Sequence, residues 1–103
     1  NGGGTVPSQG SISLDKENVT RRIVALFGFF EPFAETTPLQ GQTIELLQGG
    51  LLIDEQVTDE EGYFEFQIVN RLRPGRRAQV MARIKNTSQV SPRVTIRGPA
   101  RRR

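Results

Sequence analysis

The feature that most narrows the fold is a two-residue period. In Tyr63–Val69, the apolar residues Phe64, Phe66 and Ile68 alternate with Tyr63, Glu65 and Gln67. Successive side chains of an extended strand point to opposite faces, so this pattern buries one face and wets the other. Ala78–Lys85 alternates in the same way, with Ala78, Val80, Ala82 and Ile84 on one face and Gln79, Met81, Arg83 and Lys85 on the other. No segment repeats its apolar residues at 3.6, so the sequence offers no helix. A strand that is apolar on one face buries it against a second sheet, and an all-β sandwich follows.

Further strands are expected at Ile12–Leu14 (running on toward Val19), Arg22–Phe30, Gln42–Gln48, Leu51–Thr58 and Arg93–Arg97, making seven antiparallel strands in all. Arg22–Phe30 is apolar on both faces, as a central strand would be. Gly49-Gly50 joins two strands by a tight hairpin, because both glycines accept positive φ. Glu31–Gly41 and Arg71–Arg77 read as loops around their prolines and glycines. The organisation expected is a flexible Gly-rich leader over residues 1–10, an N-terminal strand over 11–20, a sandwich domain over 21–98 and a basic tail over 99–103. A chain of 103 residues suits one such core.

Composition removes most chemistry. There is no Cys, hence no disulfide, thiol nucleophile or cysteine zinc site, and no His, the commonest general base and metal ligand. The expectation is a non-enzyme with no cofactor, metal or catalytic residue. The longest apolar run, Ile23–Phe30, has eight residues, far short of the ~20 of a membrane-spanning helix. Small extracellular domains often lean on disulfides; their absence favours a cytosolic, prokaryotic-surface or viral setting. Asn1 in place of Met reads as a processed or excised start, or as a boundary chosen for expression.

Gly41-Gln-Thr-Ile-Glu-Leu-Leu, Val57-Thr-Asp-Glu-Glu-Gly-Tyr-Phe-Glu-Phe and Pro74-Gly followed by a strand together resemble a carboxypeptidase-regulatory-like domain. That group is similar to transthyretin-like and Cna-B-type bacterial immunoglobulin-like sandwiches. The resemblance covers Arg22–Arg97, and Thr58, Asp59, Gly62, Tyr63, Phe64 and Phe66 are its most specific part. It implies an immunoglobulin-like (prealbumin-like) sandwich serving as a structural module, stalk repeat, adhesin part or accessory domain. The motif itself specifies a turn and a core, since Asp59 can bond its own turn and Gly62 supplies positive φ. Some Cna-B-type domains carry a Lys–Asn isopeptide bond. Here Lys16 and Lys85 are the only lysines, Lys85 falls on an outward face, and no Asn lies near Val94.

Other candidates have plainer readings beside them. Asp54, Glu55, Asp59, Glu60 and Glu61 offer oxygens for calcium, but match no EF-hand spacing and read as solvated turn acids. Tyr63, Phe29, Phe30 and Phe33 suit either an aromatic platform or inter-sheet packing. Asn18 and Asn86 head glycosylation sequons in expected turns. Arg71, Arg73, Arg76, Arg77 and Arg101–Arg103 lack interleaved aromatics, so nucleic acid is not expected as a partner.

Charge is divided along the chain. Ile23–Glu65 holds nine acids and no base, and Phe66–Arg103 holds eleven bases and no acid. In a hairpin with a two-residue turn, Glu45 would face Asp54, an unfavourable like-charge pair that needs a cation from Arg83, Arg93 or Arg97 of this chain or from another copy. The function expected is a structural domain of an extracellular, prokaryotic cell-surface or virion-surface assembly. It would self-associate head-to-tail into a filament or stalk, with Ile12 and Leu14 inserted into a neighbour and Glu45, Asp54, Arg83 and Arg93 as rim charges. The alternative is a carbohydrate- or protein-binding accessory module of a secreted enzyme or adhesin. Surface glycans or proteins would then be the partners.

Overall fold

The computed structural model describes residues 7–100. It contains eight strands: β1 Gly10–Ile12, β2 Asp15–Asn18, β3 Ile23–Pro32, β4 Thr43–Gln48, β5 Leu51–Val57, β6 Tyr63–Val69, β7 Arg77–Ile84 and β8 Val94–Arg97. Two antiparallel four-stranded sheets pack as a β-sandwich. In the first, β1 and β2 pair in succession along one edge of β3, and β6 pairs along the other. The second runs β5-β4-β7-β8.

The strand count is eight, where the sequence indicated seven. The N-terminal strand is interrupted between Ile12 and Asp15. At the break Ser13 bonds Phe29 through its own N–H to the Phe29 carbonyl and through its Oγ, which accepts from the Phe29 N–H. Gly28 makes room for the crossing: a Cβ there would lie 2.1 Å from the Ser13 carbonyl oxygen. Most of the expected leader, residues 1–6, lies outside the described residues, as do Arg101–Arg103. The end of the leader is already paired, with Gly10 in β1 and the Phe33 N–H donating to the Gln9 carbonyl at 2.9 Å.

The core lies where alternation placed it. Leu26, Phe30, Phe64 and Phe66 from the first sheet meet Ile44, Leu46, Val80, Ala82, Ile84 and Ile96 from the second. Ile12 and Leu14 are buried in this same core. Ile12 pairs at home, opposite Phe30 of β3, and both side chains lie among the chain's own core residues.

The turn before β6 follows its sequence code. Asp59 Oδ1 accepts from the N–H groups of Glu61 (2.9 Å) and Tyr63 (3.0 Å). Gly62 sits at φ 83°, and its carbonyl accepts from the Phe30 N–H at 2.7 Å. Gly62 is also sterically confined, since a Cβ would approach the Phe30 carbonyl oxygen to 2.7 Å. Gly62→Ala therefore combines left-handed strain with a clash and should destabilise the fold by roughly 2–3 kcal/mol. Asp59→Ala, which only removes turn hydrogen bonds, should cost about 1–2 kcal/mol. Urea unfolding of both variants checks the order.

Candidate interaction surface

The hairpin of β4 and β5 departs from the expected register. Gly49 and Gly50 make the turn with φ of 59° and 85°, and Gln48 faces Leu51 as expected. A bulge then intervenes: Leu47 faces Leu52, but Leu46 faces Asp54, so Ile53 is the extra residue. Glu45 consequently faces Glu55, not Asp54, and Asp54 moves to the face shared with Leu46. The like-charge conflict persists with a different partner, and the cation comes from the strand on the other side. Arg83 lies opposite Glu45 on β7, and its Nε and Nη2 both donate to Glu45 Oε1 at 2.9 Å. Lys85 pairs with Glu55 at 3.5 Å. Glu45 is only 6% exposed, so this pair is partly desolvated. Arg93 takes no part in it; it lies beside Leu47 and Met81 near the Gly49-Gly50 turn.

Two further groups of charges lie at opposite ends of the sandwich. At one end, the close of β3 with the loop that follows it to Gly41 and the turn Thr58–Gly62 are tied together. The Gly41 N–H donates to the Thr58 carbonyl, and Thr58 Oγ1 donates to the Leu39 carbonyl. These two segments carry Glu31, Glu35, Asp59, Glu60 and Glu61 and no base. At the other end three segments meet at Asn70, a buried residue at the end of β6. Its Nδ2 donates to the Arg97 carbonyl, its Oδ1 accepts from the Leu72 N–H, and its N–H donates to the Arg22 carbonyl. Arg22 Nη1 donates back to the Asn70 carbonyl. The segments so joined present Arg21, Arg22, Arg71, Arg73, Arg76, Arg77 and Arg97 and no acid. All seven are exposed. The division of charge in sequence is thus a division in space, because β3 and β6 run antiparallel and separate the acidic loops from the arginine loop by their full length.

The sides of the sandwich also differ. Between β2 and β8, Lys16 Nζ donates to the Thr95 carbonyl and Arg21 Nη2 to the Ala100 carbonyl. Between β5 and β6 a groove of about 310 Å³ remains, with Ile53, Ile68, Leu72, Ala78 and Ile96 in its walls. Strand β5 is exposed along its length, and Leu51 is 73% accessible. This edge is blunted by the bulge and by Asp54 Oδ1, which accepts from the Glu55 N–H at 2.8 Å.

Of the aromatic candidates, Phe30 is core and Phe33 is exposed in its loop. Phe29 and Tyr63 stand opposite each other on the outer face of the first sheet, 5.3 Å apart and edge to face. Phe27 joins them at 6.5 Å from Tyr63. Sequence reasoning missed Phe27 and Asn70. The period of β3 put Phe27 and Phe29 on one face, but nothing marked that face as open, and a lone Asn after a strand carries no distinctive signal. The Tyr63 hydroxyl donates to Glu65 Oε1 at 2.6 Å, and Gln67 Nε2 donates to Glu65 Oε2. That bond, then burial, then the charges of Glu65, Asp59 and Glu17 push the Tyr63 pKa up from 10.0 to about 12. The same bonds, from Tyr63 and then Gln67, hold the Glu65 carboxyl below its ordinary range.

Asn18 is exposed at the end of strand β2, not in a turn, and Asn86 is exposed in a turn at φ 66°. Among the described residues no three acidic side chains converge as metal ligands, and no helix is long and apolar enough to cross a membrane. A search against protein-family models found no match, and a search of curated proteins found no significant relative.

Two outcomes follow from these contacts. Arg83→Met leaves the buried Glu45 carboxylate without its donor and should cost about 2 kcal/mol. Adding Glu45→Gln should recover part of that loss, which a double-mutant unfolding cycle measures. Tyr63 is the only tyrosine, so tyrosinate absorbance titrates it alone. The midpoint should lie near 12, and Glu65→Gln should bring it down toward the ordinary value. The folded state holds the phenol proton more tightly, so its stabilising contribution is complete below pH 10 and disappears as pH rises through 12. Glu65, with its pKa lowered, contributes in the opposite sense: its stabilisation is present above the ordinary carboxylate value and is lost as pH falls below it.

Proposed function

We propose that this chain is a non-enzymatic structural module that associates head-to-tail with copies of itself, acidic end against arginine end. The observation that carries the reading is the separation of acidic loops from seven exposed arginines at opposite ends of one sandwich. Unlike ends attract, like ends repel, and the contact is heterologous, so repetition builds a filament or stalk and not a closed dimer. Arginine suits the role because its planar fork meets carboxylates bidentately. The burial of Ile12 and Leu14 at home means the reading rests on charge and not on strand donation. Glu45 and Arg83 satisfy each other within the chain, so the end loops replace them as the contact surfaces.

The Thr58–Phe66 turn and the two stacked sheets support a carboxypeptidase-regulatory-like, immunoglobulin-like sandwich, a class suited to stalks and surface assemblies. An extracellular, cell-surface or virion-surface setting accords with that role. A second reading, a binding module, is favoured by the exposed Phe29 ring edge to face with Tyr63.

Light scattering against concentration and salt tests the main reading. Mass should grow with concentration at low ionic strength and fall to the 11.5 kDa monomer at about 1 M salt, where the screening length shrinks to roughly 3 Å. Arg73→Glu with Arg76→Glu should abolish the growth. A strict monomer at every concentration and salt overturns the reading.

A further inference from the structure

The outer face of the first sheet combines aromatic rings with a set of acids. Cross-strand neighbours share a face, and Asp15, Phe27 and Glu65 form one row across β2, β3 and β6. Phe29 and Tyr63 form the next row, toward the acidic end. Glu17 and Glu31 lie on the same face along β2 and β3, by the two-residue period. The outward positions of these strands include four acids and no Lys or Arg. In their midst Phe29 is 46% exposed, although burial would release far more free energy than exposure. An exposed Phe29 beside a half-buried Tyr63, on a face whose charged positions are all acidic, is complementary to a planar cation. A guanidinium can stack on the ring and bond the carboxylates in its own plane. Lysine matches this less well, because its ammonium is a compact and strongly hydrated point charge.

We propose that this aromatic–acidic face is a socket for the Arg101–Arg103 run of a second copy. The inference rests on the head-to-tail reading and names one of its contacts. The chain leaves the described residues at the arginine end, where Arg21 Nη2 holds the Ala100 carbonyl at 3.0 Å. Three further residues reach at most about 10 Å, too short to return along β3 to Phe29 of the same chain, whose strand spans ten residues. In a head-to-tail contact the arginine end of one copy meets the acidic end of the next, which is the end nearer Phe29, Tyr63 and Glu31. The run therefore fits a neighbour's socket and not its own.

The probe is the amidated peptide Gly-Pro-Ala-Arg-Arg-Arg, with Gly-Pro-Ala-Lys-Lys-Lys as control. The single tyrosine and the absence of Trp make Tyr63 fluorescence a reporter at the socket itself. A saturable change with the arginine peptide, about threefold to fivefold weaker binding of the lysine peptide and a similar loss in Phe29→Ala support the socket. Glu31→Gln, an exposed change with no bearing on folding, should also weaken binding. Equal binding of both peptides, or binding indifferent to Phe29→Ala and Glu31→Gln, overturns it. So does competition by a neutral oligosaccharide, which would make the face a sugar platform. Light scattering on the same preparation separates the two levels. Concentration-dependent mass without peptide binding removes the socket and leaves head-to-tail association standing. Peptide binding by a strict monomer removes the second copy as the occupant, and the head-to-tail reading with it.

Discussion

The structure depends on β3 pairing along both edges at once. Ten residues long, it accepts β1 and β2 on one side and β6 on the other. Its inward residues, Val24, Leu26 and Phe30, carry the first sheet's share of the core together with Phe64 and Phe66. The same strand fixes which ends of the molecule the loops occupy. Because β6 pairs with it antiparallel from Phe29–Tyr63 to Ile23–Val69, the turn Thr58–Gly62 and the loop Asn70–Arg76 are held at opposite ends. Were β3 to slip by one residue, Phe30 would turn outward and Phe29 inward, and core and outer face would exchange together.

Charge is organised at two scales. Inside the second sheet, like charges on β4 and β5 are met locally by Arg83 and Lys85 of the same chain. At the ends, the segments around the Thr58–Gly62 turn carry only acids and those around Asn70 carry only bases, while Lys85 at the acidic end is taken up by Glu55. The first arrangement stabilises the fold, and the second shapes how the molecule meets another. A net charge of +3 conceals this division, because summation cancels two opposed ends that a neighbour encounters separately.

Much of the sandwich was legible because its information is local. Alternation in β6 and β7, the Gly49-Gly50 turn and the Asp59–Gly62 turn each depend on residues adjacent in sequence. The bulge at Ile53 was not legible. Leu51-Leu52-Ile53 offers three apolar residues in succession, so the face of each is undetermined until β4 is in place. The break at Ser13 was hidden for a similar reason: the space it occupies is left by Gly28, fifteen residues away on the facing strand. The aromatic face was half visible. Arg22–Phe30 is apolar on both faces, and such a strand is read as covered twice, yet among the described residues no element covers Phe29. Asn70 gathers three segments that are distant in sequence, and that role emerges only from the folded register.

The asymmetry of the two long sides has a mechanical consequence. Lys16 and Arg21 tie the sheets together along β2 and β8, and Asn70 ties them at the arginine end; among the described residues no side-chain hydrogen bond crosses the groove between β5 and β6 along its length. Such a sandwich behaves like a bivalve, with a tied hinge along one margin and parted lips along the other. Thermal opening begins at the lips, and β5, exposed at all but one position and laddered to β4 alone, with only the surface Glu55–Lys85 pair besides, is the first strand to yield. Tension applied along the long axis of a stack would instead load β3 and β6 lengthwise, in shear across their whole shared ladder. The strand that frays first on warming is thus not the strand that bears a pull.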